Sequence, residues 1–157
     1  MEINKEKITA WLKELQDSIC QSLETEDGLA KFKEENWTRE EGGGGRSCVI
    51  ENGAVIEKGG VMFSAVSGKT PDFLLKEKEH SVSETSSSQK ESTFFATGVS
   101  IVIHPQSPLV PIIHMNIRYF EMSNGTKWLG GGIDLTPHYI VNEDATFFHN
   151  QLKKVCD

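Results

Sequence analysis

Long apolar runs are missing from this sequence: no stretch approaches the roughly 18 consecutive apolar residues that a membrane-spanning helix requires, so no membrane insertion is expected. Basic clusters are missing too. Sixteen Lys and Arg residues are outnumbered by 23 Asp and Glu, for a formal net charge of −7. Nucleic acid and anionic membrane surfaces both need a basic footprint, which excludes nucleic acid as a partner. An anionic ligand must then be held by a few placed cations. Cysteine is scarce, and Cys20, Cys48 and Cys156 are an odd number without C-x-x-C spacing. That suits neither a disulfide framework nor a zinc module and leaves reduced thiols in a cytosolic compartment. Apolar residues make up only 37%, part of the deficit falling in one Ser-rich stretch. There is no G-x-S-x-G, no P-loop and no G-x-G-x-x-G, so these nucleophile and nucleotide motifs are not represented. Met1 to Lys7 carries no apolar signal core.

What is present reads as one domain over residues 1–157. Ile8, Trp11, Leu12, Leu15, Ile19 and Leu23 recur at three- and four-residue spacing, which predicts an amphipathic helix ending before Asp27-Gly28. Ala30 to Glu35 adds a further turn or two. Gly42 to Gly45 either bends freely or lets another backbone or a ligand come close. Ser47 to Glu51 and Ala54 to Lys58 flank Asn52-Gly53, predicting a hairpin with a type I′ turn. Gly59-Gly60 breaks the second strand, and Val61 to Val66 resumes it. Residues 76–93 are charged and Ser-rich and read as a solvated loop or insert. Phe94 to His104 and Val110 to Met122 are β-rich runs joined by a Pro-bounded loop. Lys127 to Leu129 is a short strand leading into Gly130 to Gly132. Ala145, Phe148, Leu152 and Val155 mark a second helix with Asn142 as N-cap. Helix, meandering strands, helix, with no βαβ alternation, gives an α+β fold: an antiparallel sheet flanked by helices.

Side chains alternate faces along a strand, so Ser100, Val102 and His104 share one face and His114, Asn116 and Arg118 share another. Pairing the two runs around the loop puts His104 near His114 and Ser100 near Arg118. The polar face is either the solvated side of a half-exposed sheet or a ligand surface. An Arg grips a carboxylate with a two-pronged hydrogen bond, and imidazoles titrate near neutral pH. Gly130 to Gly132 followed by Asp134 is either a tight strand-to-loop turn capped by Asp134 or a place where backbone approaches a flat ligand. His149, next to Phe148, reads as a partly buried, hydrogen-bonded residue. His104, His114 and His149 supply three nitrogens, but their spacing matches no compact metal motif, so no metal is expected.

Four stretches resemble the oxygen-dependent coproporphyrinogen oxidases: W-T-R-E-E-G-G-G-G-R-S-C-V at Trp37 to Val49, G-V-S-I-V-I-H-P at Gly98 to Pro105, P-I-I-H-M-N-I-R-Y-F-E at Pro111 to Glu121, and W-L-G-G-G-I-D-L-T-P at Trp128 to Pro137. The resemblance runs from about Asn36 to the end and corresponds to the N-terminal half of such an enzyme. It implies a homodimer that oxidatively decarboxylates coproporphyrinogen III to protoporphyrinogen IX. Molecular oxygen is the co-substrate and no further cofactor is needed. The compartment it implies is the cytoplasm, or the mitochondrion if a presequence has been removed.

Carried across residue by residue, the resemblance implies that His114 is a proton donor and that Asp134 holds the pyrrole N–H groups. Ser100, Asn116, Ile117 and Arg118 match substrate-contacting positions. Val55, Ile56, Glu57, Lys58, Gly59, Gly60, Val61, Met62, Phe63 and Ser64 match a segment linked to dimer contacts. A reading from a different class is a truncated, non-catalytic fragment that binds a tetrapyrrole or dimerises.

Overall fold

The computed structural model describes residues 4–71 and 92–157. In chain order these form α1 (Lys5–Asp27), β1 (Lys33–Thr38), β2 (Gly43–Glu51), β3 (Ile56–Lys69), β4 (Thr93–Pro105), β5 (Ile112–Met122), β6 (Lys127–Thr136) and α2 (Asn142–Cys156). The strands make one six-stranded antiparallel meander in sequence order, with β1 and β6 at its edges. Two helices and an antiparallel sheet fit the expected α+β class, with sheet predominating. Of the Ser-rich insert, residues 76–91 lie outside the described residues, and Thr93 already belongs to β4.

Helix α1 starts where the Asn4 side chain accepts the Glu6 and Lys7 amides at 2.8 and 3.3 Å, and Glu6 adds a favourable charge in the first turn. It stops at Gly28, whose φ of 73° closes the last turn onto the Glu24 carbonyl. The extra turn expected over Ala30 to Glu35 does not form. Instead, Asp27 takes the amides of Leu29 and Ala30 and Glu24 takes that of Phe32, which steers the chain into β1.

Ile8, Leu15, Ile19 and Leu23 pack Leu12 against a core formed by Cys48, Ile50, Ile56, Val61, Phe63, Val99, Ile101 and Ile103. Full burial of such a side chain contributes about 1.5–3 kcal/mol. Trp11, counted above with the apolar stripe, is instead 52% exposed. The interior position goes to Gln16. Its amide donates to the Arg46 and Val61 carbonyls at 2.9 and 2.8 Å and accepts from Arg46 Nε at 2.7 Å. Arg46 also reaches Asp17 and the Lys13 carbonyl on the helix, and Glu34 on β1. A buried polar clamp thus ties α1 to the sheet, and nothing in the apolar periodicity announced it.

The Asn52-Gly53 signal located the β2–β3 connection but not its geometry. Only Asn52 has a positive φ, 57°, whereas a type I′ turn needs two such residues. Gly53 is required for another reason: a Cβ there would lie 2.1 Å from Asp27 Oδ2. β3 is not broken at Gly59-Gly60. As an internal strand it is held by ladders to β2 and β4, and its irregularity falls between Ile56 and Lys58. Helix α2 is capped at Val141 without a side-chain hydrogen bond, rather than at Asn142.

Candidate functional site

Alternation along β4 buries Val99, Ile101 and Ile103 against α1 and sends Ser100, Val102 and His104 to the opposite, open face. The β4–β5 register pairs Ser100 with Asn116, Val102 with His114 and Gly98 with Arg118. That is two residues away from the pairing expected from the loop. A shift of two keeps every side chain on its own face, so the partners change and the face does not. Next to β5, strand β6 pairs His114 with Asp134, Asn116 with Gly132 and Arg118 with Gly130. Gly130 to Gly132 lie within β6, so the expected strand-to-loop turn is absent and Asp134 is a strand residue rather than a cap.

Ser100, His114, Asn116, Arg118 and Asp134 therefore share the face that α1 leaves open. Ile117 does not join them; its side chain packs with the core beneath α1. Beside Arg118 and Asn116, Gly130 and Gly132 raise no side chain, which leaves that part of the face low and flat. Gly131 faces the other way, where a Cβ would stand 2.3 Å from the Asn116 carbonyl, so only glycine fits there.

His114 Nδ1 lies 2.8 Å from Asp134 Oδ1, and the Thr136 hydroxyl donates to the same oxygen at 2.9 Å. The hydrogen bond from His114, followed by that from Thr136, holds the Asp134 carboxyl below its usual range. A carboxylate only accepts, so the proton of this contact belongs on Nδ1, and Nε2 is the nitrogen left to other partners. Both side chains remain about half exposed, at 42% and 53%. Arg118 is exposed and makes no ion pair among the described residues. A charged guanidinium, an ionised carboxylate and an imidazole thus stand along adjacent strands on a low surface. Together they can bind anionic groups and accept N–H donors.

Further along the same face Phe94, Phe120 and Trp128 form a cross-strand aromatic row, with centroids 5.5 and 4.2 Å apart. The strand parity of Arg118 and Phe120 was its only sequence signal. Between the end of β6 and α2 lies a cavity of about 230 Å³, lined by Ile133, Asp134, Leu135, Tyr139, Phe148 and His149 among others. His149 is exposed there, not partly buried as expected. Among the described residues no three His, Cys, Asp or Glu side chains converge as a metal site would require. In the Val55–Ser64 segment, Ile56, Val61 and Phe63 are core residues, while Val55 and Met62 are exposed.

Residues 7–157 match the family of coproporphyrinogen III oxidases. The chain belongs to that family. Proteins named oxygen-dependent coproporphyrinogen-III oxidase from Prochlorococcus marinus strain AS9601 and Synechococcus sp. strain CC9605 are 46% and 44% identical to it over 155 residues, 98% of this chain. Another with that name, from Prochlorococcus marinus strain NATL2A, is 48% identical over 145 residues, 92% of the chain. The chain spans 43%, 40% and 39% of the lengths of these three relatives. The coproporphyrinogen III oxidase match runs from the first turn of α1 through α2, well ahead of the first motif at Trp37. No helix among the described residues is long and apolar enough to cross a membrane.

Proposed function

We propose that this chain forms part of an oxygen-dependent coproporphyrinogen-III oxidase, an oxidoreductase of porphyrin biosynthesis. It converts two propionates of coproporphyrinogen III to vinyl groups and yields protoporphyrinogen IX. For each propionate the carboxyl carbon leaves as carbon dioxide. The two electrons and two protons removed reduce one molecule of oxygen to hydrogen peroxide.

The observation that carries this reading is the row of Arg118, Asn116, His114 and Asp134 on one open face of a chain in this family. With four propionates the substrate is a tetra-anion, and a chain of net charge −7 cannot attract it through its overall field. Arg118 supplies a local bidentate grip on a carboxylate. Asp134, ionised, accepts pyrrole N–H groups through the oxygen that His114 and Thr136 leave open. His114 keeps a proton on Nδ1 against Asp134, and in its doubly protonated form it donates from Nε2 to the same face, which is the proton-donor role. Ser100 and Asn116 contribute polar contacts across the β4–β5 pair, and Ile117 contributes only its backbone. An electron-rich tetrapyrrole reacts with oxygen itself once an N–H is lost, so no metal or further cofactor is part of the proposal.

A homodimer with contacts in the Val55–Ser64 segment, a sheet flanked by helices on both faces, and a cytoplasmic location belong to the same proposal. The test is oxygen uptake with coproporphyrinogen III, read alongside fluorescence of protoporphyrin after oxidation of the product. Oxygen consumption that tracks protoporphyrin formation supports the enzyme. In the full-length protein, tight binding without oxygen uptake would replace it with a non-catalytic tetrapyrrole-binding role.

A further inference from the structure

Asp134 receives two hydrogen bonds, and both land on one oxygen. His114 Nδ1 and Thr136 Oγ1 lie 2.8 and 2.9 Å from Oδ1, and Oδ2 has no partner among the described residues. The two donors come from different directions: His114 sits opposite Asp134 on β5, and Thr136 follows it by two residues on the same face of β6. A carboxylate held by one donor can still swivel about that bond, whereas two donors on one oxygen fix the plane. Thr suits the task because its β-branch restricts χ1 in a strand, so the hydroxyl is set by the backbone. Among the described residues β6 is an edge strand and Asp134 is half exposed, so its carboxylate orientation rests mainly on these two hydrogen bonds.

We infer that Thr136 is a positioning residue that, with His114, saturates Asp134 Oδ1 so that Oδ2 alone is presented to a ligand N–H donor. The inference deepens the oxidase reading and rests on it for the identity of the ligand, but the positioning is a property of the free protein. Thr136 touches no substrate in this account; it acts through Asp134.

The titratable groups that face Asp134 are His114 from β5 together with Tyr139, Asp144 and His149, which line the cavity it shares with α2. Removing the Thr136 hydroxyl leaves all four in place, so a change in Asp134 titration reports the hydroxyl itself. The experiment follows the Asp134 carboxyl carbon by NMR across pH in the ligand-free chain, for wild type, Thr136→Val, Thr136→Ala and Thr136→Ser.

Loss of the hydroxyl in Thr136→Val and Thr136→Ala should move the Asp134 midpoint upward, and Thr136→Ser should restore it. With coproporphyrinogen III as substrate, Thr136→Val should lower kcat/KM about tenfold, the loss of one hydrogen bond to a charged acceptor, and Thr136→Ser should recover most of it. An unchanged midpoint in both hydroxyl-lacking variants overturns the inference. A midpoint that shifts as stated in a full-length enzyme that consumes no oxygen leaves the positioning intact and removes the oxidase reading instead.

Discussion

The carboxylate of Asp27, at the last residue of α1, occupies the space that a side chain on Gly53 would need. From there it accepts the amides of Leu29 and Ala30 at the helix end and of Ala54, Val55 and Ile56 in the β2–β3 loop, all within 3.2 Å. Five backbone donors on one buried carboxylate anchor the end of the helix to the β2–β3 loop and the first residue of β3. These bonds, led by those from Ala30 and Ile56, hold the Asp27 carboxyl well below the ordinary carboxylate range.

Gly53→Ala forces its Cβ into that carboxylate. The overpacking should cost about 1–3 kcal/mol, seen as a lower urea midpoint with an unchanged slope. The pH dependence follows from the depressed folded-state pKa. The unfolded chain binds its proton near the normal value of about 3.9, the folded chain only at lower pH. Stability from Asp27 is therefore complete above the normal range and is lost as pH falls through the folded-state value. Urea titrations below roughly pH 5 should show this acid loss in wild type and a flatter profile in Asp27→Asn. Equal acid sensitivity in both would contradict the anchor.

Gln16→Leu keeps the volume of a buried side chain and removes the clamp between α1 and β2. It leaves Arg46 Nε and the Arg46 and Val61 carbonyls without their amide partner. A buried polar group stripped of its partner costs about 1–3 kcal/mol, so thermal unfolding should move down by several degrees or more. A stability equal to wild type would show that the clamp is replaceable by apolar packing.

Thiol reactivity separates the three cysteines. Burial next to the Cys48 thiol pushes Cys20 up to about 12, Cys48 is itself buried and raised, and Cys156 is exposed at the end of α2. Thiolate is the reactive form, so at neutral pH an Ellman titration of native protein should register one fast thiol and reveal the others only after denaturation. Cys156→Ser should abolish the fast phase. A fast phase persisting in that variant would place Cys20 or Cys48 in a more open setting than the structure gives them.

Much of the open face was legible from strand parity alone. Ser100 shares a side with His104 on one β-rich run, and His114, Asn116 and Arg118 share one on the next; a period of two fixes each set, and the even shift of register left the two sets on a common face. The partners were not legible, because the register depends on how Gln106 to Pro111 closes, and the Gln106 amide bonds back to the Val55 carbonyl across the sheet. Asp134 was legible as a chemical group but not as a strand residue. Three glycines argue for a turn in isolation, and only the ladder to β5 keeps Gly130 to Gly132 extended. The end of α1 at Asp27-Gly28 was legible, but the extra turn over Ala30 to Glu35 was not: local propensity favours it, whereas the side chains of Glu24 and Asp27 capture the amides that a helix would have used. Gln16 and Arg46 were invisible because a polar residue on an apolar helix face has no meaning until its sheet partner is known.

The central claim is that the face bearing Arg118 and Asp134 seats an acidic macrocycle, and a binding titration addresses it most directly. Coproporphyrinogen III would be titrated under anaerobic conditions against wild type, Arg118→Ala, Arg118→Lys and, as a distant control on the far edge strand, Lys33→Ala. Loss of a charge-assisted contact worth about 1.5–3 kcal/mol should weaken binding by Arg118→Ala roughly ten- to a hundredfold, with Arg118→Lys intermediate and Lys33→Ala unchanged. Wild-type affinity in Arg118→Ala, or an equal loss in Lys33→Ala, would mean that this face does not hold the ligand.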